Sequence, residues 1–200
     1  MVILYEVHEN LYVNMTNRCP CACTFCLRQT MDEMNHSGSL WLEREPSVEE
    51  VIAEFDKFDM KKYRELVFCG FGEPTERLED LLKVAAFVKE EYHMPIRLNT
   101  NGLSDLIHGK DTAPMYEGLI DTISISLNTP DAEEYLKLTR SKFGIESHDA
   151  MLRFAGNVSN YVPNVILSTV ETTITKEEEE RCREICEKLG VTYRIRPFES

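Results

Sequence analysis

Several features are scarce or missing in this 200-residue sequence, and each absence removes a class of protein. No apolar run approaches the ~20 residues needed to span a bilayer. The first ten residues, Met-Val-Ile-Leu-Tyr-Glu-Val-His-Glu-Asn, have no basic region, no adequate apolar core and no cleavage site, so they do not read as a secretory signal. Positive charge is short: 22 Lys and Arg stand against 35 Asp and Glu, a formal net charge of −13. That balance argues against binding a nucleic-acid backbone, which needs clustered Lys and Arg. Much of the acidity lies in helical runs such as Glu177-Glu-Glu-Glu180, which read as a solvated face. Internal repeats, low-complexity segments and linkers are absent. The seven cysteines are an odd number, which argues against a fully paired disulfide framework. The expected compartment is the reducing cytoplasm, where thiols stay reduced or bind metal.

Hydrophobic residues at 42% and charged residues at 28% are ordinary globular values, and the length suits one domain over residues 1–200. Short β-like runs alternate with amphipathic segments. The expected strands are Leu11–Met15, Glu65–Cys69, Ile96–Asn99, Thr122–Leu127, Val165–Val170 and Thr192–Arg196, rich in Val, Ile, Leu and Thr as buried parallel strands are. Ser47-Val-Glu-Glu50 and Thr175-Lys-Glu-Glu178 are capping boxes. The first opens a helix to about Tyr63; the second opens one that Gly190 can end. Thr75 is the expected cap of a helix to about Tyr92, and Thr129-Pro130 of another. Further helices are expected over His148–Tyr161 and Leu103–Ile107. Strands alternating with helices imply an α/β protein with a parallel sheet and right-handed crossovers. A closed eight-fold barrel needs about 250 residues. Six strands fit a partial (β/α)6 TIM-type barrel with outer helices, a doubly wound sheet being the competing topology.

Cys19, Cys23 and Cys26 are spaced C-x3-C-x2-C within Asn17-Arg-Cys-Pro-Cys-Ala-Cys-Thr-Phe-Cys26. Three thiolates can hold three irons of a four-iron, four-sulfur cube and leave the fourth iron open to a small molecule. A zinc site with three cysteines and one distant ligand remains an alternative. The strand Glu65-Leu-Val-Phe-Cys-Gly70 runs into Phe71-Gly72-Glu73-Pro74-Thr75. Glycines there let the backbone approach a ligand closely, and a carboxylate at a strand end can accept from an ammonium group. The bland reading is a glycine-rich turn with Glu73 in solvent. Asn99-Thr-Asn-Gly102 ends the third expected strand. Ser124, Ser126 and Asn128 alternate with Ile123, Ile125 and Leu127, so polar and apolar side chains take opposite faces. Ser168 and Val170 alternate likewise on the fifth, and the sixth offers Arg194, Arg196, Pro197 and Phe198.

Together these stretches resemble the radical S-adenosylmethionine (SAM) enzymes over nearly the whole chain. Cys-Pro-Cys-Ala-Cys-Thr-Phe-Cys, Phe-Cys-Gly-Phe-Gly-Glu-Pro-Thr and Asn-Thr-Asn-Gly with Ile-Ser-Ile-Ser-Leu-Asn resemble, more narrowly, the TatD-linked radical SAM proteins, a group named for association with a TatD-type metal-dependent hydrolase. The resemblance implies a [4Fe-4S] cluster on Cys19, Cys23 and Cys26, with SAM chelating the open iron. It implies that Phe25 borders the adenine through its backbone, that Gly72 and Glu73 hold the methionyl amino group, and that Ser126 and Asn128 meet the ribose. Ser168 and Val170 would complete the pocket, and Asn99 joins the cofactor-binding set. The reaction implied is reductive cleavage of SAM to a 5′-deoxyadenosyl radical that takes hydrogen from a substrate the sequence does not name. A one-electron donor such as flavodoxin or ferredoxin, and a TatD-type hydrolase, are the implied partners. No catalytic side chain beyond the cofactor set is singled out.

Cys21 reads as a small loop residue, Cys69 as buried filler, and Cys182 and Cys186, one helical turn apart, as core thiols. The long connection Leu27–Pro46 carries Arg28, Asn35, His36 and Trp41 and reads either as a lid over the site or as an excursion with Trp41 pinned on the core. No additional cluster domain is expected after the last strand. Two other readings stay open: a glycyl-radical-activating or nucleotide-modifying radical SAM enzyme, and a non-catalytic iron–sulfur or zinc module regulating the hydrolase.

Overall fold

The computed structural model describes residues 1–26, 28 and 38–197. The fold is α/β, with seven strands that follow chain order, all but the first pair parallel where pairs are defined, and flanking helices. The chain falls into two compact units. The first comprises Met1–Cys19, Phe25–Asn99 and Leu119–Asp121; the second comprises Pro20–Thr24, Thr100–Gly118 and Thr122–Ser200.

In the first unit, β1 (Leu4–Val7) and β2 (Asn10–Val13) form an antiparallel hairpin, and β3 (Leu66–Phe68) and β4 (Ile96–Thr100) follow in parallel. Leu66, Val67 and Phe68 are all fully buried, as a strand covered on both faces requires. Helix α1 (Val48–Glu54) begins at the Ser47 capping box as expected but ends early, giving way to two short 3-10 turns, Phe55–Lys57 and Met60–Lys62. Helix α2 (Leu78–Glu91) buries Leu81, Val84, Ala85 and Val88 at helical spacing.

Thr75 is not the cap of that region. Glu73 is: it precedes a 3-10 turn, Pro74–Arg77, and its carboxylate accepts from the Thr75 N–H. Pro74 takes the first helical position, where a missing N–H costs nothing.

The second unit holds β5 (Thr122–Ser126), β6 (Asn164–Val170) and β7 (Thr192–Arg196), parallel and in register Ser126↔Ser168↔Arg194. Helices α3 (Ser104–His108), α4 (Ala132–Thr139), α5 (Glu146–Val158) and α6 (Lys176–Leu189) flank them. The Thr175 capping box and the left-handed Gly190 bound α6 as expected. Thr129-Pro130 does not start α4; Asp131 occupies its N-cap. The chain uses those two residues in a bend instead, with Asn128 left-handed at φ 65 and the Thr129 N–H donating to the Leu127 carbonyl at 2.8 Å. Asparagine is among the few residues that tolerate that conformation.

Candidate functional site

The glycine-rich turn of the first unit is fitted against the segment that enters the cysteine loop. A Cβ on Gly72 would lie 2.2 Å from the Thr16 carbonyl oxygen and 2.7 Å from that of Arg18, so only glycine permits this approach. The Glu73 N–H donates to the Arg18 carbonyl at 2.8 Å. Glu73 itself is 4% exposed, not in solvent. Its Oε1 accepts from the Thr75 N–H at 3.1 Å and the Thr75 hydroxyl at 2.7 Å.

The chain leaving the cysteine loop is stitched to the chain entering it. Asn17 mimics a strand neighbour: its Nδ2 donates to the Leu42 carbonyl at 2.8 Å and its Oδ1 accepts from the Leu42 N–H at 3.1 Å. Asn14 donates to the carbonyls of Val2 and Leu40. Arg18 forks onto the Glu45 carboxylate. The Arg77 guanidinium, nearly buried, donates to the carbonyls of Met15 at 3.0 Å and Pro46 at 2.6 Å while Asp80 neutralises it. None of Asn14, Asn17, Arg77 or Glu45 was legible as functional. Their partners lie up to 62 residues away and leave no local pattern.

Within the second unit, residues 20–24 of the cysteine loop pair with the end of α4. The Ala22 N–H donates to the Thr139 carbonyl, the Thr24 N–H to that of Leu138, and the Lys142 N–H to that of Pro20, each at 2.9 Å. Ser126, Asn128 and Ser168 come together: Ser126 and Ser168 are register neighbours, and the Leu127 and Asn128 N–H groups both donate to the Ser168 carbonyl at 2.9 and 3.2 Å. Val170 follows two residues along the same strand face. Burial confirms the alternation, with Ile123 and Ile125 inaccessible while Ser124 and Ser126 are half-buried. His148, on α5, anchors the bend after Asn128. Its Nε2 lies 3.2 Å from the Thr129 carbonyl, and since a carbonyl can only accept, this nitrogen carries the proton. Burial holds the His148 pKa below its ordinary value, so the ring is neutral at pH 7.

All seven cysteines are outside disulfides. Cys19, Cys23 and Cys26 are half-accessible, whereas Cys21, Cys182 and Cys186 are buried. Cys21 accepts a long contact of 3.9 Å from Asn101 Nδ2. Cys69 is half-buried, not the buried filler expected, and its carbonyl accepts from the Tyr5 hydroxyl at 3.1 Å. Among the described residues no three Cys, His, Asp or Glu side chains form a metal-holding group. The ring of Phe25 is 48% exposed, and Asn99 is half-buried at the end of β4. Trp41 is 39% exposed and packs edge-on against Phe71 at 5.1 Å. Asn35, His36 and Phe198 lie outside the described residues. Among the described residues no helix is long and apolar enough to cross a membrane.

The seven strands in chain order, parallel after the first pair where pairs are defined and flanked by helices, define an α/β protein. Comparison with known proteins gives the family. Residues 13–189 match the model of the Radical SAM superfamily, and the chain belongs to it. The family uses a [4Fe-4S] cluster and SAM. A GTP 3',8-cyclase of Corynebacterium glutamicum is 33% identical over 142 residues, 68% of this chain and 35% of that protein. A probable GTP 3',8-cyclase of Methanocaldococcus jannaschii is 31% identical over 139 residues, 68% of this chain and 41% of that one. The chain thus spans well under half the length of these relatives. Streptococcus suis SuiB, also solved with S-adenosylmethionine bound, has a TM-score of 0.68 at 14% identity over 96% of this chain and, in that SAM complex, 41% of its own. A radical SAM methyltransferase from Sphaerobacter thermophilus has a TM-score of 0.64 at 18% identity over 97% and 57%. These likenesses show the fold and decide for the partial barrel over the doubly wound sheet.

Proposed function

We propose that this chain is the SAM-cleaving core of a radical SAM enzyme, working as one domain over residues 1–200. The observation that carries the reading is the fit of Gly72 and Glu73 against Thr16 and Arg18, which ties the glycine-rich motif to the residue before Cys19. The donor set suits the cluster as well: the three thiols at the family spacing are the accessible ones of the loop, and the fourth loop thiol, Cys21, is buried. Cys19, Cys23 and Cys26 would hold the cluster. Gly72 and Glu73 would hold the methionyl amino group, Ser126 and Asn128 the ribose, and Ser168 and Val170 the adjoining wall. Phe25 would border the adenine through its backbone, with Asn99 in the same set. When bound, the cluster and SAM supply one-electron cleavage of the sulfonium and hydrogen abstraction from substrate. The protein's own work is orientation and exclusion of water: the left-handed Asn128, tied to Ser168 and followed by the His148-anchored Thr129, presents its side chain without rearrangement.

Among substrates, a nucleotide has the specific support of the relatives named as GTP 3',8-cyclases. The TatD-linked subgroup, a TatD-type hydrolase partner and a flavodoxin or ferredoxin donor rest on the quoted motifs. A cytoplasmic setting fits the oxygen-sensitive cluster. Anaerobic reconstitution followed by strong reduction tests the core reading. Four irons per chain, as one cube requires, with release of 5′-deoxyadenosine and methionine, supports it. Stoichiometric zinc with little iron, or an intact cluster that never cleaves SAM, overturns it. Faster 5′-deoxyadenosine release on adding GTP would favour the nucleotide reading.

A further inference from the structure

Strand β7 carries two arginines whose register places them beside the proposed SAM wall. Arg194 is the neighbour of Ser168, itself the neighbour of Ser126; Arg196 is the neighbour of Val170. Side chains alternate along each strand, so one face can be fixed from the other. Tyr193 lies on the helix side: its hydroxyl is 2.8 Å from the Thr169 hydroxyl, and its ring lies under the Arg183 guanidinium of α6 at 5.4 Å. Ile125 lies on that side too, against the positions of Gly102 and of Met151 on α5. Arg194 and Arg196 therefore share the opposite face with Ser126, Ser168 and Val170. Two strand spacings of about 4.8 Å put Arg194 roughly 10 Å from Ser126 across the sheet.

That face is also free of negative charge from its own strands, because β5, β6 and β7 contain no Asp or Glu. Arg18, Arg44, Arg64, Arg77, Arg97, Arg181 and Arg183 are each matched to a carboxylate, whereas Arg140 and Arg153 are not among the described residues' ion pairs. Among the described residues the exposed Arg194 guanidinium has no hydrogen bond or ion pair. An edge strand often carries charge to prevent pairing with other chains. That explanation asks for no particular face, yet here both arginines take the polar face and Tyr193 and Ile195 the other.

We propose that Arg194 and Arg196 form an oxyanion subsite that grips a phosphate or carboxylate group of the substrate about two strands from the SAM ribose. The guanidinium fork matches either group with paired hydrogen bonds. The subsite deepens the radical SAM reading and rests on it for the position of the ribose.

The test titrates the anaerobically reconstituted, SAM-loaded protein with tripolyphosphate and, separately, with citrate. Binding to the parent should weaken as salt rises. Arg194→Gln and Arg196→Gln should each weaken it by about tenfold or more, and Arg194→Lys by less, at unchanged melting temperature. The better probe assigns phosphate or carboxylate. Failure of both probes to bind the parent, or binding that survives both Gln substitutions, would leave only edge protection and overturn the proposal. So would an equal loss of SAM affinity, which would hand the arginines to SAM itself. A parent that cleaves SAM but binds neither anion sinks this inference alone. A parent that binds them but cannot cleave SAM sinks the radical SAM reading alone.

Discussion

The Glu73 N–H donates to the Arg18 carbonyl at 2.8 Å, so the residue that ends the glycine-rich motif is hydrogen-bonded to the residue that precedes the first loop cysteine. Gly72 lies in the same seam. Gly72→Ala would drive a methyl against two backbone carbonyls that cannot swing aside. We expect a loss of about 1–3 kcal/mol or more, typical of overpacking, together with loss of iron after reconstitution. Gly156→Ala is the contrast. Its Cβ would meet only Leu189 at 3.4 Å, within a helix, and alanine should be neutral or stabilise by up to about 1 kcal/mol. Thermal melts and iron assays on both variants decide.

Glu73 has two jobs that two substitutions separate. Its carboxylate caps the Pro74–Arg77 turn, and the proposal also gives it the SAM ammonium. Glu73→Gln keeps a carbonyl oxygen for Thr75 but removes the charge. It should hold stability within about 1 kcal/mol of the parent, as a retained cap predicts, while weakening SAM binding. Glu73→Ala should lose both. Equal SAM affinity in Glu73→Gln and the parent would refute the ammonium contact.

The cysteines should divide by position. Cys19→Ala, Cys23→Ala and Cys26→Ala should each abolish SAM cleavage and lose cluster iron. Cys21→Ala, Cys182→Ala and Cys186→Ala should keep the cluster, at some cost in stability because those thiols are buried. Iron content and absorbance of the six variants check this. A cluster lost in Cys21→Ala but kept in Cys23→Ala would reassign the ligands.

Alkaline pH should weaken the folded state through α6. Burial pushes the Cys182 thiol up to about 12 and the Cys186 thiol up to about 11, from an ordinary 9.0. Above pH 9 the unfolded chain loses these protons while the folded chain keeps them. The unfolded state then binds fewer protons, so stability falls as pH rises from about 9 toward those values. Denaturant melts from pH 8 to 11 should show the decline, and Cys182→Ala with Cys186→Ala should flatten it. Both thiols should also resist labelling at pH 8 until the protein unfolds.

Much of this architecture is written locally. The Ser47 and Thr175 capping boxes, the apolar runs of β3 and β6, and the alternation through Ser124 and Ser126 each occupy a few consecutive residues, and each was legible. Strand β1 was not: the β1–β2 turn runs through His8, left-handed at φ 52, with no Asn-Gly or Asp-Gly to announce a hairpin. Thr75 resembles an N-cap, yet Pro74 at the first helical position marks Glu73 as the cap of the turn before α2. At Thr129-Pro130 the chain instead bends through the left-handed Asn128, and α4 starts from Asp131 as its N-cap, with the Thr129 carbonyl bonded to His148 of α5. The residues proposed for the site stand in recognisable motifs. The side chains that hold the ends of the cysteine loop do not, since each acts on backbone far away in sequence.

Arg77 is the most consequential of those. One guanidinium spans Met15 on the way into the cysteine loop and Pro46 on the way out, with Asp80 as its counter-charge. No other side chain has both the charge and the fork to satisfy two carbonyls and a carboxylate at once. Arg77→Ala would strand two carbonyls and leave Asp80 without its main partner, and we expect a loss of about 3–5 kcal/mol, the range for breaking a buried pair. Arg77→Lys keeps the charge but has one ammonium to share among three acceptors, so it should fall between the parent and Ala. If Arg77 only stabilises the fold, the Lys variant, once folded, should reconstitute like the parent. If it sets the loop ends, the Lys variant should stay folded at 20 °C yet lose iron faster under mild chelation. Melting temperature and the rate of iron release, measured on the same sample, separate these outcomes.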